Sequence, residues 1–227
     1  MAADPGPTQE AGSRLSRERV LGVAIGLADA EGIEALTIRR LARELGVGTM
    51  SVYYYVAGKD EILDGIVDLV VAEMELPQSG SAWKAELRRA SVSAHDVLMR
   101  HPWAASLLLT GPRVSLARLR QMDAILGCLR GAGFSPEQTD HAYHALDSHI
   151  MGFTLWLVGI SEGMERVGSV EGLLETLDVQ AMPHLGEHIR QHLRERDPEE
   201  EGEFVFGLNL ILDGLERMRE AGADRAE

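Results

Sequence analysis

The hydrophobic positions of this chain recur at three- and four-residue intervals, and no strand-like alternation is sustained anywhere. That period belongs to amphipathic helices, so the pattern predicts an all-α protein. The first stripe is Val20, Ala24, Leu27 and Ala28. Ser16 is placed to cap it, Leu15 and Val20 to staple its start, and Gly32 to stop it. A second stripe runs through Ile38, Leu41, Ala42 and Leu45, with Thr37 as N-cap and Gly46 where a left-handed C-terminal residue is needed. Val47 plugs the turn. A short third helix begins at Gly48 or Thr49, with Val52 and Val56 facing inward. A fourth covers Asp60 to Glu75 with Ile62, Leu63, Ile66, Val67, Val70 and Met74 apolar. Pro77-Gln78-Ser79-Gly80-Ser81 then breaks the pattern, and a domain boundary is expected there.

The remainder also reads as helices. One spans Ala82 to Arg100 and ends at His101-Pro102, with a short one following Pro102. Another covers about Val114 to Arg130 and stops at Gly131 and Gly133. Ser135-Pro136-Glu137 starts a long helix to about Ile160, carrying Ala142, Leu146, Ile150, Phe153 and Leu157. A short helix is expected around Val170–Leu177 and another from Pro183 to Arg196, before the acidic connector Asp197–Gly202. The last helix carries Phe204, Leu208, Ile211, Leu215 and Met218, a heptad seam. Two long seamed helices suit a bundle, within one chain or between two; periodicity leaves both open.

Residues 36–59 carry the chemistry. A short helix, a tight turn and a second short helix make a helix-turn-helix, which sets one helix in the DNA major groove. Thr49, Met50, Ser51, Tyr53 and Tyr54 fall at the start and outer face of the second helix, where bases and phosphates are touched. Arg39, Arg40 and Arg43 lie on the polar side of the first helix and Lys59 follows the second, all suited to neutralising phosphates. A helical hairpin with a solvated basic face is the competing reading.

Residues 14–75 resemble the DNA-binding domain of the tetracycline-repressor family. The match runs without gaps through Gly32-Ile33-Glu34-Ala35-Leu36-Thr37, Arg39, Leu41-Ala42, Leu45-Gly46-Val47, Val52-Tyr53-Tyr54-Tyr55-Val56 and Lys59. The resemblance implies backbone contacts from Thr37, Arg39, Ser51, Tyr53 and Lys59, and groove-facing roles for Thr49, Met50 and Tyr54. Tyr55 stands where many members carry His. The C-terminal half is similar to the family's tetracycline-binding members in Gly133-Phe134-Ser135 and in the stretch from Phe204 to Glu216. In those members the two long helices form a four-helix bundle across a dimer, which implies a homodimer here through Phe153, Leu157, Leu208, Ile211 and Leu215. Leu107-Leu108-Leu109-Thr110 has no His where such members bind a magnesium–drug complex, and Glu75 replaces another drug-contacting His. The departures point to a different effector.

Composition adds a constraint. Among 227 residues the formal net charge is −14, yet Arg14 to Lys59 holds seven basic residues against five acids. A weakly basic reading head on an acidic body suits a protein that binds one site and does not coat DNA. The expected organisation is a disordered tail over 1–13, a DNA-binding domain over 14–76 that includes the fourth helix, and a helical effector-binding and dimerising domain over 77–227. Cys128 is the only cysteine, so no disulfide forms within one chain. The first residues lack the apolar core of a signal peptide, and no apolar run reaches the ~20 residues of a membrane span. A cytoplasmic protein is expected.

Other candidate chemistry is weaker. His184, His188 and His192 lie four apart, a spacing at which imidazoles can share a transition-metal ion, but a polar, partly solvated helix face is the favoured reading; no metal is assigned. His141, His144 and Asp147 make a second such group. Met99, His101, Trp103, Met122, Asp147, Met151 and Trp156, with Trp83 and Phe153, are candidates for lining an effector cavity; core filling is the competing reading. No nucleophile elbow, phosphate-binding loop, zinc-protease helix or Cys pair is present, so neither catalysis nor a cofactor is expected. The function expected is a ligand-responsive transcriptional repressor released from a palindromic operator by a small molecule. The alternatives are a helical enzyme or carrier with a vestigial helix-turn-helix, and a nucleoid-type architectural protein.

Overall fold

A computed structural model describes residues 15–80, 82–110, 115–167, 181–193 and 202–223. Among these, every regular element is helical. In chain order they are α1 (Arg17–Glu31), a 3-10 turn (Ile33–Ala35), α2 (Ile38–Leu45), α3 (Thr49–Tyr53), α4 (Lys59–Ala72), α5 (Trp83–Arg100) and α6 (Pro102–Thr110). Then follow α7 (Leu116–Gly131), α8 (Pro136–Val167), α9 (Pro183–Leu193) and α10 (Glu203–Ala223). The stretch around Val170–Leu177 lies outside the described residues, as do the expected tail and the connector at Asp197.

The chain forms two compact units, one up to Leu69 and the other from Val70. The division falls inside α4, ahead of the Pro77 break that the sequence suggests. Val70, Val71 and Met74 are buried and count with the second unit, whereas Ile62 and Ile66 belong to the core of the first.

In the first unit local signals set each boundary. Ser16 Oγ accepts from Arg19 N–H at 3.2 Å, and Thr37 Oγ1 accepts from Arg40 N–H at 3.2 Å. Each satisfies a donor that the helix start leaves unpaired. Gly46 takes φ 67°, ψ 29°, the left-handed geometry that lets the chain leave α2. Val20, Leu27, Leu41, Leu45, Val52 and Val56 are buried between α1, α2 and α3. A Cβ at Gly65 of α4 falls 2.9 Å from the Leu21 methyls, so a larger residue there requires the Leu21 side chain to shift.

The second unit is built around α8, which packs on α5, α6, α7 and α10. Its start is a reciprocal cap. Ser135 Oγ accepts from Gln138 N–H at 3.1 Å while Gln138 Oε1 accepts from Ser135 N–H at 2.9 Å. The other end of the Gln138 side chain donates to Met218 O at 3.1 Å, tying α8 to α10. Lys84 of α5 holds α10 through Asp213 at 2.7 Å and Glu216 at 2.6 Å.

The seam of α10 needs correcting. Phe204, Leu208, Leu212 and Leu215 are buried inside one chain, Leu208 completely. Leu208, with no exposed surface, packs as a core residue within one chain, and Leu215 keeps only 7% of its surface exposed. Ile211 is only partly covered, and Phe206 and Leu210 are 59% and 58% exposed. On α8 Phe153 and Leu157 are half-buried, while Trp156 and Ile160 are exposed.

Candidate nucleic-acid interface and effector cavity

The turn after α2 delivers a recognition helix barely longer than one turn. Val52 anchors it to the core, fully buried, so the residues around Val52 must face outward. Met50 is 78% and Tyr54 83% exposed; Thr49, Ser51 and Tyr53 are exposed as well. Tyr54 follows the last helical residue and packs edge-on against Tyr55, ring centroids 5.1 Å apart, and stays largely uncovered. Large apolar side chains held in water by a rigid element mark a surface that meets something. Thr37, Arg39 and Lys59 are also exposed on this unit.

Arg40 is held by carboxylates of its own unit. Its guanidinium is gripped by Glu31 at 2.5 Å and Glu44 at 2.7 Å. Those bonds raise its pKa further, and they hold the Glu31 carboxyl below its usual value. With both carboxylates in place Arg40 braces α2 against the end of α1, and its charge is largely neutralised before any phosphate arrives.

In the second unit a narrow cavity of about 10 Å³ lies between α5, α7 and α8. Leu87, Ala90 and Ala94 line one side, Ile125, Leu146 and Ile150 the other. Ser91, Gln121 and Glu75 supply its polar atoms, and Pro77 completes the wall. Its volume is room for about one water and far below the roughly 300–1,000 Å³ of sites for drug-sized ligands, so a ligand enters only if the surrounding side chains and helices move apart.

Polar bonds knit the segment after α4 to α5 beside this cavity. Glu75 N–H donates to Ser93 Oγ at 3.0 Å, and the Glu75 carboxylate pairs with Arg89. Arg89 also donates to Leu76 O at 3.0 Å and meets Glu86 at 2.7 Å. Arg100 meets Glu73 at 2.8 Å.

Residues 76–219 match the family described as tetracyclin repressor-like, C-terminal domain, and residues 20–66 match bacterial regulatory proteins, tetR family. The chain belongs to the tetracycline-repressor family. It is 31% identical to the HTH-type transcriptional repressor DrrR1 of Streptomyces coeruleorubidus, over 89% of this chain and 77% of that protein. It is 27% identical to the class D tetracycline repressor protein of Escherichia coli, over 90% of each. Apo ActR of Streptomyces coelicolor superposes with TM-score 0.68 at 28% identity, over 94% of this chain and 98% of that one. ActR bound to actinorhodin superposes with TM-score 0.70 at 25% identity, over 89% and 96%. As a member of the tetracycline-repressor family the protein is a ligand-responsive, DNA-binding transcriptional repressor.

None of the seven residues expected to bind effector lines the cavity of this family member. Met99 and Trp156 face solvent. His101 and Trp103 are buried and packed edge to face, with His101 Nε2 3.7 Å from Glu73. Met151 is buried and Met122 half-buried. Asp147 pairs with Arg118, whose Nη1 donates to Gln121 Oε1 at 2.6 Å, so Asp147 stands two bonds behind the wall. Nearby Tyr143 is buried, which pushes its pKa up. Sequence reasoning sought Met and aromatic residues, but this wall is built from Leu, Ile and Ala. One signal was available: Gln121 occupies an apolar phase of α7, four residues before Ile125 and seven before Cys128.

His184 and His188 are exposed on α9, and the His192 side chain lies outside the described residues. His141 and His144 are exposed while Asp147 is bound to Arg118, so the structure does not bring that group together. Among the described residues no three His, Cys, Asp or Glu converge as metal ligands, and no helix is long and apolar enough to cross a membrane.

Proposed function

We propose that two copies of this chain bind a near-palindromic operator and release it when a small organic molecule enters the cavity between α5, α7 and α8. The exposure of Met50 and Tyr54 on either side of the buried Val52 carries the reading. Thr49, Met50 and Tyr54 face base edges. Thr37, Arg39, Ser51, Tyr53 and Lys59 meet the phosphate backbone, and Arg40 acts as a brace. Two heads reading successive major grooves call for half-sites about one turn, ~34 Å, apart or slightly more.

Dimerisation uses the apolar side chains that one chain leaves uncovered on α8 and α10: Phe206 and Leu210 at the centre, with Trp156, Ile160, Leu157, Ile211 and Phe153 around them. The effector shifts the end of α4 and the residues that follow it, α4 being the helix that runs from the head unit into the body unit. Ligand and operator then oppose each other through a reciprocal coupling, typically ~1–3 kcal/mol. Regulation takes place in the cytoplasm, and the chain performs no catalysis and needs no cofactor.

Selection of bound sequences from a random DNA pool at physiological salt tests the reading. A near-palindrome is expected, and its release by small molecules then identifies effectors. Recovery of no preferred sequence, with and without candidate effectors, overturns it.

A further inference from the structure

Gln121 is 3% exposed, and it lines the cavity. Its amide orientation is fixed by chemistry. Arg118 has only donors, so the atom facing Arg118 Nη1 at 2.6 Å is the amide oxygen. The amide nitrogen therefore points the other way, and its partner is Met74 Sδ at 3.0 Å. A thioether is a weak acceptor. The NH₂ group carries two hydrogens, and the sulfur takes at most one of them well. This buried amide thus sits in an otherwise largely apolar wall with donor capacity that an oxygen would use better than sulfur does.

Position gives the bond a second meaning. Met74 is buried two residues beyond the end of α4. Gln121 belongs to α7 and is backed by Arg118, itself paired with Asp147 of α8. The weak N–H···S bond therefore joins the exit of α4 to a braced polar group in the cavity wall. The adjoining residue Glu75 also lines the cavity.

We propose that Gln121 is the effector-reading donor of this protein, and that it selects a mostly apolar ligand bearing a carbonyl-type oxygen, which takes the amide from Met74. The inference rests on the cavity being the effector site. The ligand oxygen replaces the sulfur at Gln121 Nε2, and Met74 is released together with the residues that follow α4. An apolar ligand without an acceptor that opens the same cavity leaves the Gln121–Met74 bond in place.

Isosteric probes test this in the full-length protein. Dissociation constants for 1-indanone and indane, which differ by one carbonyl, are measured by ligand-detected NMR. Wild type is expected to favour 1-indanone by about three- to tenfold, the worth of one ordinary hydrogen bond. Gln121→Leu, and Gln121→Glu, which keeps the bond from Arg118 but has no N–H, both remove the preference. Met74→Leu enlarges it by deleting the competing acceptor. Equal binding of the two probes by wild type overturns the inference and leaves the cavity reading intact. A preference that survives both Gln121 variants, or that disappears only in Ser91→Ala, also overturns it. Failure of both probes to bind wild type removes the cavity as a ligand site, and the inference with it.

Discussion

The head and the body of this repressor leave apolar side chains in water in different ways. In the head they cluster on and just after one short helix, Met50, Tyr53 and Tyr54, around a single buried anchor, Val52. In the body they are strung along two long helices, Trp156 and Ile160 on α8, Phe206 and Leu210 on α10, behind a continuous buried seam. A compact cluster with hydroxyl-bearing neighbours and nearby cations suits a polar groove. An extended apolar strip suits a second helical surface. Burial inside one chain decides which residues remain for each task, and equal spacing along a helix does not.

The strongest way to break that contrast is on α10. Leu208→Ala removes a fully buried side chain and is expected to cost about 2–5 kcal/mol of folding stability, read by denaturant melts. Phe206→Asp, two residues earlier, is expected to change folding stability by no more than about 0.5 kcal/mol, as surface substitutions do. It should instead yield monomers in sedimentation and weaken operator binding. A folded, dimeric Phe206→Asp protein would return the interface to some other face.

The head offers the finer test. Lys59→Ala should weaken binding to every DNA sequence and reduce the salt dependence by about one unit of slope, since one phosphate contact is lost. Unchanged slope would remove Lys59 from the backbone contacts. Tyr54→Ala is expected to have the smallest effect on overall affinity but to alter which operator bases are preferred. A uniform loss across sequences would reassign Tyr54 to the backbone.

Arg39 and Arg40 show where reading the chain stops short. As neighbours on one helix they look interchangeable, but Arg39 is exposed and Arg40 is held by Glu31 and Glu44. Glu44 lies four residues from Arg40 and is visible as a helical pair. Glu31 lies nine residues away on α1, and only folding brings it near. The cavity teaches the same lesson. Gln121 in an apolar phase was legible as an anomaly, whereas its neighbours Leu87, Ala90 and Ile150 are indistinguishable in sequence from any packed core.

The sequence by itself determined the helices, their caps and the helix-turn-helix. These follow from interactions within a few residues: Ser16 and Thr37 at helix starts, the positive φ of Gly46, and the three-four recurrence of apolar positions. Tertiary structure alone decided the rest. It chose which apolar side chains of α8 and α10 are core and which face water, bound Asp147 to Arg118 behind the cavity wall, and aimed the Gln121 amide at Met74. Those outcomes depend on how helices far apart in the chain are rotated against one another, and periodicity carries no information about that rotation.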